Sequence, residues 1–291
     1  MIKINGEKID VFRFPDGTPK ITVDLEKFNN FGSYSIQWYY ENDSEFLTLA
    51  FLKMHIDNLV MPQKMYSILQ LPFVPNSRFD RVKSENEVFT LRHFAKLINA
   101  LNFDKVYVLD PHSHVSEALF DHIVVQPAED YIDSALEDIT DKCHMNSINE
   151  IVLFFPDEGA QKRYKTDALT DFVAFFGNKV RDWKTGHILG LKIETHTDKS
   201  LDYLKDKTVL IIDDIISAGG TVYYSIKELE KYGVKNVYAY CSHLENTMFK
   251  EEENKLRDLL EDDGSVFKGI YTTDSIYNQK HEKVTVLENE F

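Results

Sequence analysis

Short apolar runs alternate with helical patterns along most of this chain. The runs predict strands, and apolar residues spaced three or four positions apart predict helices. Strands are predicted at residues 11–14, 20–25, 34–40, 64–71, 105–109, 122–126, 151–155, 172–176, 187–194, 209–212, 235–241, 267–271 and 283–287. Helices are predicted at residues 44–59, 84–101, 128–140, 222–232 and 246–261. This alternation indicates an α/β fold built on mostly parallel sheets flanked by helices.

The same alternation occurs on both sides of a change in composition near residues 142–147, where an acidic helix gives way to a fresh strand. We therefore expect two similar domains, at residues 1–145 and 146–291. A chain of 291 residues has enough material for two ordinary cores.

The most informative pattern is TVLIIDDIISAGGT at residues 208–221. An apolar run typical of a strand buried on both faces ends at Asp213 and Asp214, and a loop of small residues then leads into a helix. Glycines let backbone N–H groups surround an anion at a helix N-terminus, so this loop suits a phosphate. Adjacent carboxylates suit hydroxyl groups or a hydrated cation. An ordinary strand–turn–helix junction with solvated acids is the alternative.

A second candidate is the charged loop that contains Arg78, Phe79, Asp80 and Arg81. Guanidinium groups can clamp a polyphosphate while the aromatic ring stacks on a base, which indicates a nucleotide site. A solvated charged loop is the alternative. His112 follows another predicted strand, where a side chain can reach a ligand in an open α/β sheet.

A third candidate is a predicted hairpin arm whose outgoing segment carries Lys179 and Arg181. Residues at alternating positions of an extended segment share one side, so these two cations can face one target. A Pro-Asp-Gly turn at residues 15–17 predicts another hairpin near the N-terminus.

Composition narrows the class of protein. The hydrophobic fraction of 43% is that of a globular protein, and the net charge of −15 argues against a nucleic-acid surface. No apolar run is long enough to span a bilayer, and the first ten residues lack the apolar core of a signal peptide, so we expect a cytoplasmic protein with no membrane partner. The two cysteines form no CxxC pair, which suggests neither a metal cage nor a disulfide framework.

The motif at residues 208–221 resembles the PRPP motif of type I phosphoribosyltransferases. Together with the other candidates, it makes the chain similar to the ribose-phosphate diphosphokinase (PRPP synthetase) family over almost its whole length. The resemblance implies an α/β fold with two similar phosphoribosyltransferase-like domains. It also implies an enzyme that uses Mg²⁺ to transfer diphosphate from ATP to the 1-hydroxyl of ribose 5-phosphate, giving PRPP and AMP.

The resemblance further implies roles for the residues that match the family's motifs. Asp213 and Asp214 would hold the ribose hydroxyls. The loop for the 5-phosphate would be Ser217, Ala218, Gly219, Gly220 and Thr221. Lys179 and Arg181 would stabilise the transferring diphosphate. The ATP-binding residues would be Phe14, Asp16, Arg78, Phe79, Asp80 and His112. The metal-associated residues would be His112 and Asp157. A homo-oligomer with its ATP site at a subunit interface is expected.

Several departures from the family pattern leave the acceptor and the activity open. Phe79 replaces a glutamine, and Ser217 replaces an acid of the phosphate loop. With that acid absent and Tyr223 and Tyr224 following the loop, the acceptor could be a larger 5-phosphoribosyl compound such as ADP-ribose, in NAD metabolism. The two tyrosines could equally be ordinary members of a helix. The sequence is also compatible with a non-catalytic regulatory homologue and with a phosphoribosyltransferase that consumes the activated sugar.

Overall fold

A computed structural model describes residues 1–24, 32–59, 65–164, 169–181, 188–195, 198–250 and 252–289. These residues form two compact units, Met1–Pro127 and Ala128–Asn289. The division falls before the acidic helix, whereas the sequence predicted a boundary at residues 145/146. That helix makes its side-chain contacts within the second unit, where Asp138 and Lys142 contact Tyr271.

The first unit contains a six-stranded sheet in the order β2-β1-β5-β6-β7-β8. Its strands are β1 (Ile2–Ile4), β2 (Glu7–Lys8), β5 (Ser33–Trp38), β6 (Tyr66–Leu71), β7 (Lys105–Leu109) and β8 (Ile123–Gln126). Strands β5 to β8 are parallel, and β1 pairs antiparallel with β2 and β5. The helices are α1 (Glu45–Leu59), α2 (Thr90–Asn99) and α3 (His114–Leu119). Trp38, Leu52 and Val108 belong to the buried core between these layers.

A separate hairpin in the first unit consists of β3 (Asp10–Arg13) and β4 (Pro19–Thr22). Gly17 in its turn has a φ of +85°, a left-handed conformation that glycine adopts without steric cost. The Pro-Asp-Gly pattern therefore predicted this hairpin correctly.

The second unit contains a seven-stranded sheet in the order β11-β10-β9-β12-β13-β14-β15. Its strands are β9 (Val152–Phe155), β10 (Ala174–Arg181), β11 (Ile188–Thr195), β12 (Thr208–Ile216), β13 (Asn236–Leu244), β14 (Phe267–Thr273) and β15 (Val284–Leu287). All pairs are parallel except β10 with β11. The helices are α4 (Glu129–Lys142), α5 (Glu158–Arg163), α6 (Gly220–Glu230), α7 (Thr247–Lys250) and α8 (Lys255–Glu261). Both sheets confirm the predicted α/β class.

Strand β12 lies near the middle of this sheet, between β9 and β13. Its first five residues are all buried, as expected for a strand with covered faces on both sides. The chain leaves β9 towards β10 on one side and returns as β12 on the other. In open α/β sheets, ligands bind beyond the carboxyl ends of strands at such a reversal of strand order.

Some local predictions were wrong. The predicted helix at residues 246–261 is two helices, α7 and α8, because Asn254 accepts hydrogen bonds from Leu256 N and Arg257 N, each at 3.0 Å, and so starts a new helix. Strands β1 and β2 and helices α3 and α5 were not predicted. Within the described part of the chain, no helix is both long and apolar enough to cross a membrane.

Candidate active site

The predicted acid pair lies on β12, beside the carboxyl end of β9. Asp214 is buried, and its Oδ1 is 3.0 Å from Nη1 of Arg163. Asp213 is half-buried, and its Oδ1 accepts a hydrogen bond from Asp214 N at 3.0 Å. Burial, followed by the negative charges of Asp214 and Asp157, raises the pKa of Asp213 well above its ordinary value. The two adjacent acids therefore differ in their electrostatic surroundings, because Arg163 forms an ion pair with Asp214.

Asp157 lies two residues beyond the end of β9 and is the N-cap of helix α5. Its Oδ1 accepts a hydrogen bond from Ala160 N at 2.9 Å, which caps the helix. Strands β9 and β12 are parallel neighbours, so Asp157 after β9 and Asp213 on β12 lie at the same edge of the sheet, and the charge of Asp157 contributes to the raised pKa of Asp213. The structure thus groups Asp157 with the acid pair.

The loop of small residues joins β12 to α6. Gly219 has a φ of +78°, and a Cβ atom at this position would overlap the side chain of Leu256. Gly220 opens α6, and its surroundings leave space for a side chain. Only glycine satisfies both the backbone angle and the close approach at Gly219. Helix α6 begins directly after this glycine, and the anion site at its N-terminus stays a prediction.

Two side chains from outside the loop hold it in place. Ser217 Oγ donates to Glu245 Oε2 at 2.6 Å, and Asn254 Nδ2 donates to Ala218 O at 3.0 Å. Glu245 follows strand β13, and Asn254 is the residue before α8. The loop that sequence reasoning regarded as free of acids therefore has a carboxylate against its first residue.

Tyr223 and Tyr224 follow the loop on α6. Their rings meet edge to face, with centroids 5.4 Å apart. Tyr223 also packs against the buried core of the second unit, and Lys255 Nζ lies 5.8 Å from its ring centroid. These contacts suit the ordinary helical role that the sequence left open for Tyr223.

The predicted arm is an antiparallel hairpin of β10 and β11. Lys179 pairs with Leu191 and Arg181 pairs with Ile188, and the register shifts between Val180 and Arg181. The side chains of Lys179 and Arg181, like the tip of the arm at residues 182–187, lie outside the described part of the structure. Their predicted roles stay predictions.

The ATP-binding candidates belong to the first unit. Asp80 is half-buried in the loop after β6, with Arg81 Nε 3.1 Å from its Oδ1. Burial tends to raise the pKa of Asp80, but Ser113, Arg81 and His112 together lower it below its ordinary value. Because β6 and β7 are parallel neighbours, the loops after them meet at one edge of the sheet. Asp80 and His112 are therefore close together, and their role in binding ATP stays a prediction.

Other ATP-binding candidates are more exposed. Arg78 is exposed and Phe79 is half-buried. Phe14 lies on the hairpin, 45% exposed, and its ring meets that of Phe12 edge to face. Asp16 accepts hydrogen bonds from Thr18, which lower its pKa and stabilise the turn.

Sequence reasoning missed Arg163, Glu245 and Asn254. Arg163 carries no local signal, since a basic residue at the end of a helix is common. The contact of Glu245 with Ser217 spans 28 residues and depends on how β12 and β13 pair. Asn254 does carry a signal, because an Asn before an apolar helical pattern is a frequent N-cap.

Carboxylates near the acid pair offer donors of the type that Mg²⁺ takes. In proteins, Mg²⁺ is usually bound by one or two carboxylates together with substrate phosphates. Asp157 fits that requirement. Among the described residues, no group of three or more His, Cys, Asp or Glu side chains is gathered into a preformed metal site.

Comparisons with known proteins concern the fold and the family of this chain. The family model described as "Phosphoribosyl transferase domain" matches residues 172–276. The ribose-phosphate pyrophosphokinase of Pyrococcus furiosus is 29% identical over 239 residues, which cover 81% of this chain and 77% of that protein. The ribose-phosphate pyrophosphokinase of Bacillus subtilis is 24% identical over 243 residues, which cover 81% of this chain and 69% of that protein.

A solved structure shows the same fold over nearly the whole chain. The phosphoribosylpyrophosphate synthetase of Mycobacterium smegmatis superposes with a TM-score of 0.70 and 19% identity, covering 97% of this chain and 86% of that one. The two sheets are therefore two phosphoribosyltransferase-like domains. The matched domain and these relatives, together with the fold, support the similarity of this chain to the ribose-phosphate pyrophosphokinase (PRPP synthetase) family.

Proposed function

We propose that this protein transfers the diphosphate group of ATP to the 1-hydroxyl of ribose 5-phosphate, giving PRPP and AMP. One observation carries the proposal: an acid pair and a glycine anion loop lie together at the carboxyl ends of the central strands. That arrangement suits a phosphorylated pentose, because carboxylates accept hydrogen bonds from sugar hydroxyls and the loop N–H groups bind the phosphate.

The acceptor half of the reaction belongs to β12 and its loop. Asp213 and Asp214 accept hydrogen bonds from the 2- and 3-hydroxyls, and residues 217–221 bind the 5-phosphate. Arg163, 3.0 Å from Asp214, offsets part of the negative charge that the acid pair brings to an anionic substrate. The 1-hydroxyl of the bound sugar is then the nucleophile.

The donor half belongs to residues that bind ATP. Arg78, Phe79 and Asp80 bind the nucleotide together with His112, and Phe14 and Asp16 of the hairpin contact its base. Lys179 and Arg181 stabilise the charge that develops on the transferring diphosphate. Asp157 in the second unit and His112 in the first are each proposed to bind Mg²⁺ together with substrate phosphates, whose charge a bound ion would neutralise. This chemistry needs positioning and charge neutralisation more than a covalent nucleophile.

The expected assembly is a homo-oligomer whose ATP site takes the hairpin of a neighbouring subunit. The exposed Phe12 and Phe14 support this proposal, since their rings contact each other and form one apolar surface on the hairpin. Light scattering coupled to gel filtration measures the assembly. We also propose that the protein works in the cytoplasm, where ATP is available.

The deciding experiment measures AMP release from ATP in parallel reactions with ribose 5-phosphate, with ADP-ribose and without acceptor. Phosphorus NMR then identifies the new 1-diphosphate. We expect AMP release with ribose 5-phosphate well above the rate without acceptor. A strong preference for ADP-ribose would replace the acceptor but keep the chemistry, whereas binding of both substrates without AMP release would indicate a regulatory homologue.

A further inference from the structure

The carboxylate of Glu245, the residue after β13, contacts the first residue of the anion loop. Glu245 Oε2 accepts a hydrogen bond from Ser217 Oγ at 2.6 Å and one from Thr247 Oγ1 at 3.3 Å. Glu245 N also donates to Ile216 O at 2.8 Å, so the main chain holds this carboxylate beside the loop. The contact joins the ends of two paired strands and is therefore fixed by the sheet.

The hydrogen bond from Ser217 to Glu245 determines which groups of the loop can donate to a ligand. A serine hydroxyl has one proton to donate, and here that proton goes to Glu245. Ser217 therefore cannot donate to a bound phosphate while this contact persists. The loop is left with its backbone N–H groups as the donors for the anion.

The charge of Glu245 has a second consequence. Hydrogen bonds to a charged acceptor are short and strong, which agrees with the 2.6 Å separation from Ser217. A fixed negative charge one residue from the anion nest opposes each negative charge that the ligand brings. The effect adds to that of Asp213 and Asp214, which lie on the neighbouring strand β12.

We propose that Glu245 is a specificity-determining positioning residue of this loop, which turns the Ser217 hydroxyl away from the bound phosphate and limits the negative charge that the loop accepts. The inference rests on the proposed function, because it concerns the phosphate of the acceptor. It assigns a role in acceptor choice to a residue outside the loop motif.

The first test changes the charge of Glu245 and keeps its shape. Glu245→Gln retains an oxygen that accepts from Ser217 but removes the negative charge. We expect the dissociation constant for ribose 5-phosphate, measured by calorimetry without ATP, to fall at least threefold. The KM for ribose 5-phosphate should fall in parallel, and kcat should change less. Glu253→Gln, at an exposed position nearby in the sequence, is the matched control and should leave binding unchanged.

The second test measures whether the two positions act together. Ser217→Asp sets two carboxylates against each other and should weaken ribose 5-phosphate binding at least tenfold in the parent. In the Glu245→Gln background, the same substitution should raise the dissociation constant of ribose 5-phosphate by at most a third of the factor measured in the parent. Thermal unfolding checks that each variant folds, and Ser217→Glu, which brings the same charge, replaces Ser217→Asp in the cycle if the latter does not fold.

The inference requires both expected results, a lower dissociation constant in Glu245→Gln and a smaller effect of Ser217→Asp in that background. A Glu245→Gln dissociation constant that does not fall threefold, or a cost at Ser217 that is alike in both backgrounds, overturns the inference. If the parent binds ribose 5-phosphate and the two positions are coupled but no AMP is released, only the proposed function fails. If AMP is released and the coupling is absent, only the inference fails. If the parent does not bind ribose 5-phosphate, both fail together.

Discussion

Gly219 shows how a single residue determines the shape of the anion loop. Its φ of +78° costs an alanine about 1–2 kcal/mol, and the alanine methyl would also overlap Leu256. We expect Gly219→Ala to lower the free energy of unfolding by about 2 kcal/mol or more. Urea unfolding measures the loss. Gly220→Ala is the control, because a Cβ there meets open space, and equal losses at the two glycines would contradict the assignment.

Asp138 offers a test of electrostatics away from the site. Lys142 Nζ and Tyr271 OH each lie 2.6 Å from its Oδ2. Although burial raises the pKa of Asp138, these partners lower it below its ordinary value. A lowered pKa stabilises the fold above the unfolded-state value near 4, and this stabilisation is lost as the pH falls through the folded-state pKa.

We therefore expect Asp138→Asn to lower the free energy of unfolding at pH 7 by about 0.5–1 kcal/mol, an amount typical of a half-exposed hydrogen-bonded ion pair. The difference from the parent should narrow only below about pH 4. Urea unfolding from pH 7 to pH 3 measures it, with the exposed Asp141→Asn as control. A difference that is constant over this range would contradict the expectation.

At the residue scale, the sequence predicted the parts of the site that are contiguous in it. The acid pair and Gly219 could be identified because the strand, the loop and the helix follow one another. Arg163 and Glu245 could not, because their contacts with Asp214 and Ser217 depend on the packing of α5 and on the pairing of β12 with β13.

Helix α8 links the loop to the rest of the second unit through Asn254. Its Oδ1 caps the helix, while its Nδ2 donates to Ala218 O. Asn254→Ser keeps a good cap but removes the bond to the loop, so we expect a loss of stability of about 1 kcal/mol and a several-fold higher KM for ribose 5-phosphate. Steady-state kinetics and urea unfolding measure the two effects.

Asn254→Ala removes the cap as well and should be less stable than Asn254→Ser by about 1 kcal/mol. An unchanged KM in Asn254→Ser would show that the bond to Ala218 does not position the loop.

The arm formed by β10 and β11 carries the two cations proposed to act on the diphosphate. Lys179→Ala and Arg181→Ala should each lower kcat about tenfold or more, because one preorganised donor is worth roughly 10²–10³ in rate. Unfolding free energies should stay near that of the parent. AMP release measures the rates, and Lys235→Ala, at an exposed position before β13, is the control. Parent-like turnover in both arm variants would remove the arm from the mechanism.

At the element scale, most strands were predictable because continuous apolar runs mark buried parallel strands. Helix limits were less predictable. The charged stretch at residues 246–261 fits one helix by periodicity, but the Asn254 cap divides it. Short α5 was missed, although Asp157 before it is a typical N-cap residue.

The two units carry separate sets of candidate residues. The proposed ATP-binding loops belong to the first unit, and the proposed binding residues of the acceptor belong to the second. Asp80 and His112 lie in the first unit, and the acid pair with its anion loop lies in the second. A net charge of −15 makes local cations the main attraction for an anionic nucleotide. Substitutions in one unit should therefore affect one substrate more than the other.

Arg78→Ala tests this division directly. We expect the KM for ATP to rise at least about tenfold, since a lost guanidinium contact to a phosphate costs about 1.5–3 kcal/mol. The dissociation constant of ribose 5-phosphate, measured by calorimetry without ATP, should stay within twofold, because its ligands belong to β12 and the following loop. Arg92→Ala, an exposed position on α2, is the matched control. If Arg78→Ala instead weakened ribose 5-phosphate binding as strongly as it raised the KM for ATP, the assignment of the donor to the first unit would fail.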